Sequence, residues 1–422
     1  QQDKVVRKSP SSGQDEWTHY LYDASNNAVS KDKLVDQPRH MQFRTDLEWS
    51  RNHDRQASVS GVVTTQGRMF YVMDSGPGAD MTVPARWSIV ARDAYNGVFL
   101  WKRSIGSWTD HLRGFRSGPA QLPRLLVAQD ERVYVPLSVQ EPLVALDAIS
   151  GKTRCTYKGT EGTEEILLLG QTLLVVTGTP FPTQAFGLAG VKKATAKQVM
   201  AFHPNSGELL WQRKDLDPDA FVTCTLAADE DYVYYRYGAS VVCLDRQTGK
   251  EIWHNSKVVA PVPVPRNSGK RKPKVIKPNS NVGTSTLVIQ HQVLVLSDGR
   301  NVTALSAQDG QILWTTKGRP GFRSPQDVFV IDDVVWLGGA FTQGFDLKSG
   351  ELVKENSLLQ AIQTAGHHHR CYRNKATERY IIAGHRGIEF LDLTGDDHGR
   401  NNWVRGLCQY GVMPANGLIY AP

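Results

Sequence analysis

Three consecutive histidines, His367, His368 and His369, form the segment of the sequence best suited to chemistry. The residues that follow them are also reactive or charged, namely Arg370, Cys371, Tyr372 and Arg373. Histidine and tyrosine can act as bases, and arginine pairs with carboxylates. Such a set suits β-elimination on an acidic sugar, in which a base removes the proton α to a carboxylate and a cation stabilises the enolate.

Strand geometry divides this segment into two sides, because successive residues of a strand face opposite ways. His367 and His369 then share one side and could both bind a divalent metal, while His368 and Arg370 lie on the other. The sequence identifies no third metal ligand. A metal site and a metal-free acid–base site therefore both remain open, as does a polar channel lining with no chemical role.

A repeated tetrapeptide, Gly-Phe-Arg-Ser, places Arg116 and Arg323 in two corresponding loops. Other basic or aromatic residues stand at comparable positions, and together they complete a predicted site. Its predicted catalytic residues are His367, His368, His369, Tyr372 and Tyr410, and its predicted substrate-binding residues are Arg116, Arg323, Arg370, Arg373, Arg405, His53 and His111. Hydrolysis by paired carboxylates is less favoured, since only Asp54 and Asp110 lie nearby.

The elements that must position these residues belong to a repeat of about 50 residues. Its clearest copies are Asn205–Trp211, Gln247–Trp253 and Gln308–Trp314, each with a Gly near its middle and a Trp at its end. An apolar run precedes the Gly in most copies. The unit is therefore a strand, a tight turn in which Gly supplies a positive φ, and a strand whose Trp packs between neighbouring units.

This pattern predicts an all-β fold, an eight-bladed β-propeller of four-stranded blades. Seven blades extend from about Gln56 to Arg405. The eighth combines Cys408–Pro422 with the lone strand Phe43–Trp49, so that pairing of the N- and C-terminal strands closes the ring. Residues 1–16 are predicted to be disordered and 17–422 to form one domain, with a basic Pro- and Lys-rich loop at 257–283.

The Gly-x-x-Leu-Trp copies, and an opening that contains Trp17, Tyr20, Asp23, Asn26 and Ser30, resemble the quinoprotein alcohol dehydrogenase-like (PQQ-like repeat) propellers. This resemblance implies an eight-bladed fold. The family includes quinone enzymes, in which two adjacent cysteines lie beside the cofactor and Glu, Asn and Asp bind calcium. The sequence has no adjacent cysteines and no motif that matches the calcium ligands, so a bound PQQ is not expected.

Composition sets further expectations. The formal net charge of +7 over 422 residues is modest, and the basic loop lacks the aromatic residues of nucleic-acid sites. No apolar run is long enough for a membrane helix, and the start at Gln1 fits a processed, extracytoplasmic protein. Of the five cysteines, Cys371 and Cys408 are expected to approach each other. We expect a monomer.

Two functional hypotheses result. The first is an extracytoplasmic polysaccharide lyase that cleaves an anionic polysaccharide or oligosaccharide at the channel mouth. The second is a binding or scaffold propeller without catalysis, whose signature would be exposed apolar residues on the outer rim.

Overall fold

The computed structural model describes residues 11–45, 59–76, 83–108, 121–178, 196–259, 285–319, 324–356, 372–407 and 410–422. Its strands form small sheets, and within each blade the strands follow one another in the sequence. The only helical element in these ranges is one 3-10 turn, Leu122–Leu125. The fold is the all-β propeller of four-stranded blades that the sequence predicted.

Strand β1 (Val29–Ser30) precedes the blades in the sequence. Blade one contains β2 to β5, which are Val59–Thr65, Arg68–Asp74, Trp87–Asp93 and Phe99–Ser104. Blade two contains β6 to β9, which are Val127–Gln129, Arg132–Pro136, Leu143–Asp147 and Thr153–Thr156. Blade three contains β10 to β13, which are Thr163–Leu169, Thr172–Thr177, Lys197–Phe202 and Leu209–Leu216. Blade four contains β14 to β17, which are Ala227–Ala228, Tyr232–Tyr237, Ser240–Asp245 and Glu251–Asn255.

Blade five contains β18 to β21, which are Thr286–Gln290, Val293–Ser297, Asn301–Ser306 and Ile312–Lys317. Blade six contains β22 to β25, which are Val328–Ile331, Val334–Leu337, Gln343–Asp346 and Leu352–Glu355. Blade seven contains β26 to β29, which are Lys375–Thr377, Tyr380–Ala383, Ile388–Asp392 and Gly399–Asn401. Strand β1 extends blade seven by pairing in parallel with β26. Strands β30 (Met413–Ala415) and β31 (Leu418–Tyr420) form a separate hairpin.

Seven blades are therefore present in the described ranges, not the eight that the sequence predicted. The C-terminal residues supply only the β30–β31 hairpin, and residues 42–45 are not part of any described strand. Residues 46–49 of the predicted N-terminal strand lie outside these ranges. The innermost strand of blade four has only two residues, Ala227 and Ala228, and Cys224 just before it takes a φ of +65° that extended pairing does not allow.

In blades one, three, four and five, the Trp of the repeated motif joins the blade to the next one. In blade three, the Trp211 indole Nε1 donates to the Arg246 carbonyl of blade four at 2.8 Å. Its ring lies against Gly249, whose φ is +69° and where an added Cβ would lie only 2.5 Å from the ring. The same contact joins Trp101 to Gly151, Trp253 to Gly310 and Trp314 to Gly350. The predicted packing of Trp between neighbouring units is confirmed.

We expect Gly249→Ala to destabilise the protein more than Gly238→Ala. Both glycines have a positive φ, +69° and +60°, but no atom lies within 4 Å of an added Cβ at Gly238. Gly238→Ala should therefore show only backbone strain, about 1–2 kcal/mol. Gly249→Ala should add about 1–3 kcal/mol from overpacking against Trp211. Urea denaturation of the two variants measures the difference, and equal losses would show that the Trp–Gly contact does not couple the blades.

Residues 15–32, here called the inner ring, pass the innermost strand of every blade in blade order. In each of the seven blades one backbone N–H donates to the ring at 2.8–3.0 Å. The donors are, in blade order, Thr64, Ala128, Leu168, Ala228, Ile289, Val330 and Ala376. The acceptors are Trp17, Thr18, His19, Ala24, Ser25, Asn27 and Ala28. The backbone N–H of Gly417, in the hairpin, then donates to Asp32 Oδ2 at 2.8 Å.

The inner ring thus lies inside the propeller, a position that the sequence analysis did not predict. Asp15 and Glu16, at the end of the segment expected to be disordered, also accept hydrogen bonds, from the backbone N–H groups of Asn416 and Gly67. The side chains that the ring and the innermost strands direct inward form the candidate site.

Candidate functional site

Most of the predicted site residues lie outside the described ranges, so their roles remain predictions. They are His53, His111, Arg116, Arg323, His367, His368, His369 and Arg370. Cys371 and Cys408, which we expected to approach each other, lie outside them too, while Cys155, Cys224 and Cys243 are free thiols. The structure describes the other four predicted residues, which are Tyr372, Arg373, Arg405 and Tyr410.

Tyr410 was predicted to be a catalytic base, and its surroundings are those of a buried hydrogen-bond donor. Its side chain is only 1% exposed, and its hydroxyl donates to the Val62 carbonyl at 2.5 Å. Burial raises the pKa of this phenol well above its ordinary value. This geometry does not favour the removal of a proton from a substrate.

Tyr372 is also buried, and its ring lies against two glycines, Gly384 and Gly411. An added Cβ at either residue would lie less than 3 Å from the Tyr372 side chain. Arg405, by contrast, is exposed. The structure therefore does not bring Arg405 into the buried group that contains Tyr372 and Tyr410.

Arg373 was predicted to bind an anionic substrate, but a carboxylate of the protein already pairs with it. Its Nε lies 2.6 Å from Asp327 Oδ1, and the side-chain amide of Asn374 donates to Asp327 Oδ2 at 2.8 Å. The side chains of Arg373 and Asp327 are 8% and 6% exposed. The charge of Arg373 is thus used to join blade seven to blade six.

Lys375 is a buried cation that the sequence analysis missed. It lies on β26, is 0% exposed, and its Nζ donates to the carbonyls of Arg373 and Tyr410 at 3.2 and 3.3 Å. The same Nζ lies 4.5 Å from the ring centre of Tyr20 and 5.6 Å from that of Tyr410. Burial, and then the charge of Arg373, lower the pKa of Lys375 well below its ordinary value. The sequence signal that could have identified Lys375 is a lysine on an innermost strand, where most side chains are apolar.

Arg124 is a second buried basic residue that the sequence analysis missed, and it also lies near Tyr20. It forms a buried ion pair with Glu165, contacts Asn26 Oδ1 at 3.3 Å, and lies 5.7 Å from the Tyr20 ring centre. Cys224 is buried nearby, and burial raises the pKa of its thiol to about 12, so it stays protonated at neutral pH. The ring of Tyr20, in the inner ring, therefore contacts one basic group that precedes blade two and one that belongs to blade seven.

His19 of the inner ring is buried and uncharged. Its Nε2 accepts from the backbone N–H of Leu168 at 3.0 Å, so Nδ1 carries the proton and faces Thr18 Oγ1 at 2.7 Å. Burial is the largest cause that lowers the pKa of His19 from 6.5 to about 3, and the charge of Arg124 lowers it further. Protonation at Nε2 would place its N–H against the backbone N–H of Leu168. This contact disfavours the charged ring, so the pKa of His19 falls.

Tyr20, Arg124, Glu165, Asp327, Arg373 and Lys375 are here called the axial cluster. It holds three cations and two carboxylates, and each guanidinium has a carboxylate partner. Buried and mutually paired charges fix geometry and bind one another more readily than they bind a substrate. The axial cluster can therefore anchor the inner ring to blades two, six and seven.

Comparisons with known proteins identify the family of this chain. The model of a family described as the outer membrane protein assembly factor BamB, a PQQ-like repeat family, matches residues 85–257 and again residues 195–385. The two matches together cover most of the chain. The chain belongs to this PQQ-like repeat family. The resemblance drawn from the repeats is confirmed, whereas a comparison with curated proteins gives no significant match.

Solved structures that resemble this chain are distant in sequence. A europium-containing methanol dehydrogenase is 11% identical with a TM-score of 0.53, over 91% of this chain and 84% of that one. The computationally designed Ika8 protein is 12% identical with a TM-score of 0.50, over 88% and 97%. BamB from Moraxella catarrhalis is 14% identical with a TM-score of 0.47, over 82% and 85%. At these identities the likeness shows the fold alone.

Some members of this superfamily bind a quinone, and the axial cluster does not fit one. Lys375 and Arg124 both contact the ring of Tyr20, and Arg124 and Arg373 form ion pairs with carboxylates of the protein. Within the described ranges, no three His, Cys, Asp or Glu side chains converge as they would around a metal ion. The possible ligands His367 and His369 lie outside those ranges. No described helix is long and apolar enough to cross a membrane.

Proposed function

We propose that this PQQ-like propeller is a non-catalytic binding scaffold that acts outside the cytoplasm. The observation that supports the proposal most directly is a set of exposed apolar side chains on the outer strands of the blades. The description of the family model, as an outer membrane assembly factor, supports the extracytoplasmic location.

The outermost strands of six blades share one local structure. Each begins beside a β-bulge, found between Ala91 and Arg92 in blade one and between Ala304 and Leu305 in blade five, for example. Large apolar side chains at or just before these strands are 40–57% exposed: Val98, Phe99, Leu100, Ile149, Leu209, Leu210, Ile252, Ile312, Leu313, Leu352 and Val353. Single exposed apolar residues are ordinary, but a repeated set on one kind of edge suits contact with partner proteins.

The axial cluster supports the scaffold over the lyase. The described members of the predicted catalytic set, Tyr372 and Tyr410, are buried, and Arg373 is paired with Asp327. A lyase needs a base and a cation that can both reach the sugar. The lyase hypothesis now depends on residues outside the described ranges, above all His367, His368 and His369.

We also propose that the β30–β31 hairpin and Phe43 occupy the place of an incomplete eighth blade. Phe43 lies against Gly97 of blade one, where an added Cβ would be 2.5 Å from its ring, as Trp211 lies against Gly249. Its ring centre is 6.4 Å from that of Tyr420 in β31. Phe43 therefore stands where the motif Trp of a blade preceding blade one would stand.

Site-specific photocrosslinking tests the scaffold proposal. A photoreactive side chain at Leu210 or Leu313 should crosslink to discrete partner proteins in extracytoplasmic extracts. At the matched positions Lys214 and Lys317, polar residues on the same two strands, it should crosslink weakly. The competing outcome is that the protein cleaves a uronate polysaccharide, as measured by the absorbance of the unsaturated product. This activity would then be lost in His367→Ala, His368→Ala or His369→Ala. That result, with no selective crosslinks, would establish the lyase instead.

A further inference from the structure

A groove of about 570 Å³ lies beside the β30–β31 hairpin, next to the segment that contains Phe43. Among the described residues, every other sheet of the propeller has at least four strands, whereas this hairpin has two. We propose that the groove binds one extended, acidic strand of a partner protein, which pairs with the edge of β31. This inference rests on the proposed scaffold function and names the surface and the chemistry of its partner.

The edge of β31 is built to pair with another strand. The hairpin turns through Asn416 and Gly417, whose φ angles of +55° and +71° fit a two-residue type I′ turn. Ala415 and Leu418 face each other directly across this turn. Peptide groups of an antiparallel strand alternate in direction, so the N–H and C=O of Ile419 point away from β30. An outward-facing peptide edge is a template for an added strand.

The walls of the groove offer pockets for apolar side chains. Its floor comes from blade one, through Val59, Val62, Met69 and Tyr71, and from Ile388 of blade seven. Two large side chains stand at its border and are mostly exposed, Met41 at 61% and Trp403 at 67%. An extended strand would cover both side chains with its alternate residues.

The charges around the groove favour a partner strand with a negative charge. Arg39, His40 and Arg44 are exposed on the segment that borders it. The one acidic side chain among the described lining residues is that of Asp36, which already accepts from the Tyr380 hydroxyl at 3.0 Å and the Gln37 N–H at 2.8 Å. A basic rim around an apolar floor favours a strand that alternates acidic and apolar residues.

The probe is a labelled, end-blocked nonapeptide of alternating Glu and Val, titrated with the full chain by fluorescence anisotropy. We expect saturable binding. The same peptide with N-methyl groups on alternate amides should bind at least tenfold more weakly, because it cannot form the ladder. A Lys–Val peptide should bind at least tenfold more weakly because of the basic rim.

Substitutions in the groove test whether the peptide binds there. Arg39→Glu combined with Arg44→Glu should weaken the Glu–Val peptide at least tenfold and strengthen the Lys–Val peptide. Trp403→Ala should also weaken binding. A matched control on blade five, Lys317→Glu, changes an exposed charge far from the groove and should bind as the wild type does.

Two outcomes would overturn the inference. One is that the N-methylated peptide binds as well as the unmodified peptide, or that the groove variants change nothing. The other is that the chain dimerises on its own and the groove variants abolish the dimer, which would make a second copy the occupant. If either occurs while Leu210 and Leu313 still crosslink selectively, the scaffold proposal stands and only the groove assignment fails.

Discussion

Replacing Asp327 by alanine is expected to lower the free energy of unfolding by about 3–5 kcal/mol. The Asp327 carboxylate accepts from Arg373 Nε at 2.6 Å and from the Asn374 side chain at 2.8 Å, and the ion pair is buried. Alanine leaves the guanidinium inside the protein without a counter-charge. Arginine cannot escape this cost by losing its proton. Chemical denaturation at neutral pH measures the loss.

An exposed ion pair on blades three and four provides the control. Arg213 Nη2 lies 3.1 Å from Glu251 Oε2, and the two side chains are 32% and 40% exposed. Glu251→Ala should cost less than about 1 kcal/mol. Combining Asp327→Leu with Arg373→Met should recover most of the stability, since no charge is then left unpaired. Equal losses in Asp327→Ala and Glu251→Ala would contradict the buried position of the pair.

Acidification is expected to destabilise the protein through His19. Burial above all, then the charge of Arg124, lowers the pKa of this residue from 6.5 to about 3 in the folded state. Between those two pH values the unfolded chain binds a proton at His19 that the folded protein does not. Stability therefore falls as the pH drops below about 6.5, by about 1 kcal/mol per pH unit, until the pH reaches about 3.

The His19→Gln variant isolates this contribution. Urea denaturation at several pH values between 7 and 4 should show a shallower loss for His19→Gln than for the wild type. His254→Gln, which changes a histidine 41% exposed on blade four, should keep the wild-type slope. If His19→Gln and the wild type lose stability in parallel, His19 is not the buried neutral group that the structure shows.

The blades could be predicted because their signals are local. A Gly with positive φ and a Trp four residues later recur in several copies, and the apolar runs before them mark the strands. The blade count failed where no complete repeat exists, at the hairpin and at Phe43. Phe43 replaces the expected Trp against Gly97, which shows that the contact rather than the residue type is repeated.

The candidate site was only partly predictable, because its residues are joined by contacts between distant parts of the chain. Tyr410 and Arg373 were chosen by residue type, and burial changes what each can do. Lys375 stood in the sequence beside Arg373, yet nothing local shows that it lies against Tyr20, which comes from the inner ring. The inner ring itself has no periodic pattern, since its hydrogen-bonding residues meet one blade after another.

The inner ring also constrains the order in which the chain can assemble. Asn26 bonds to a carbonyl 200 residues away and Asn27 to one 303 residues away. Contacts this distant in sequence carry a large loop-closure cost and slow folding. During synthesis the ring precedes all of its partners, so it cannot reach its final place until blade seven exists. The inner ring can therefore be completed only late, and a nascent chain that stalls before blade seven would keep the ring residues that bind the later blades open to chaperones.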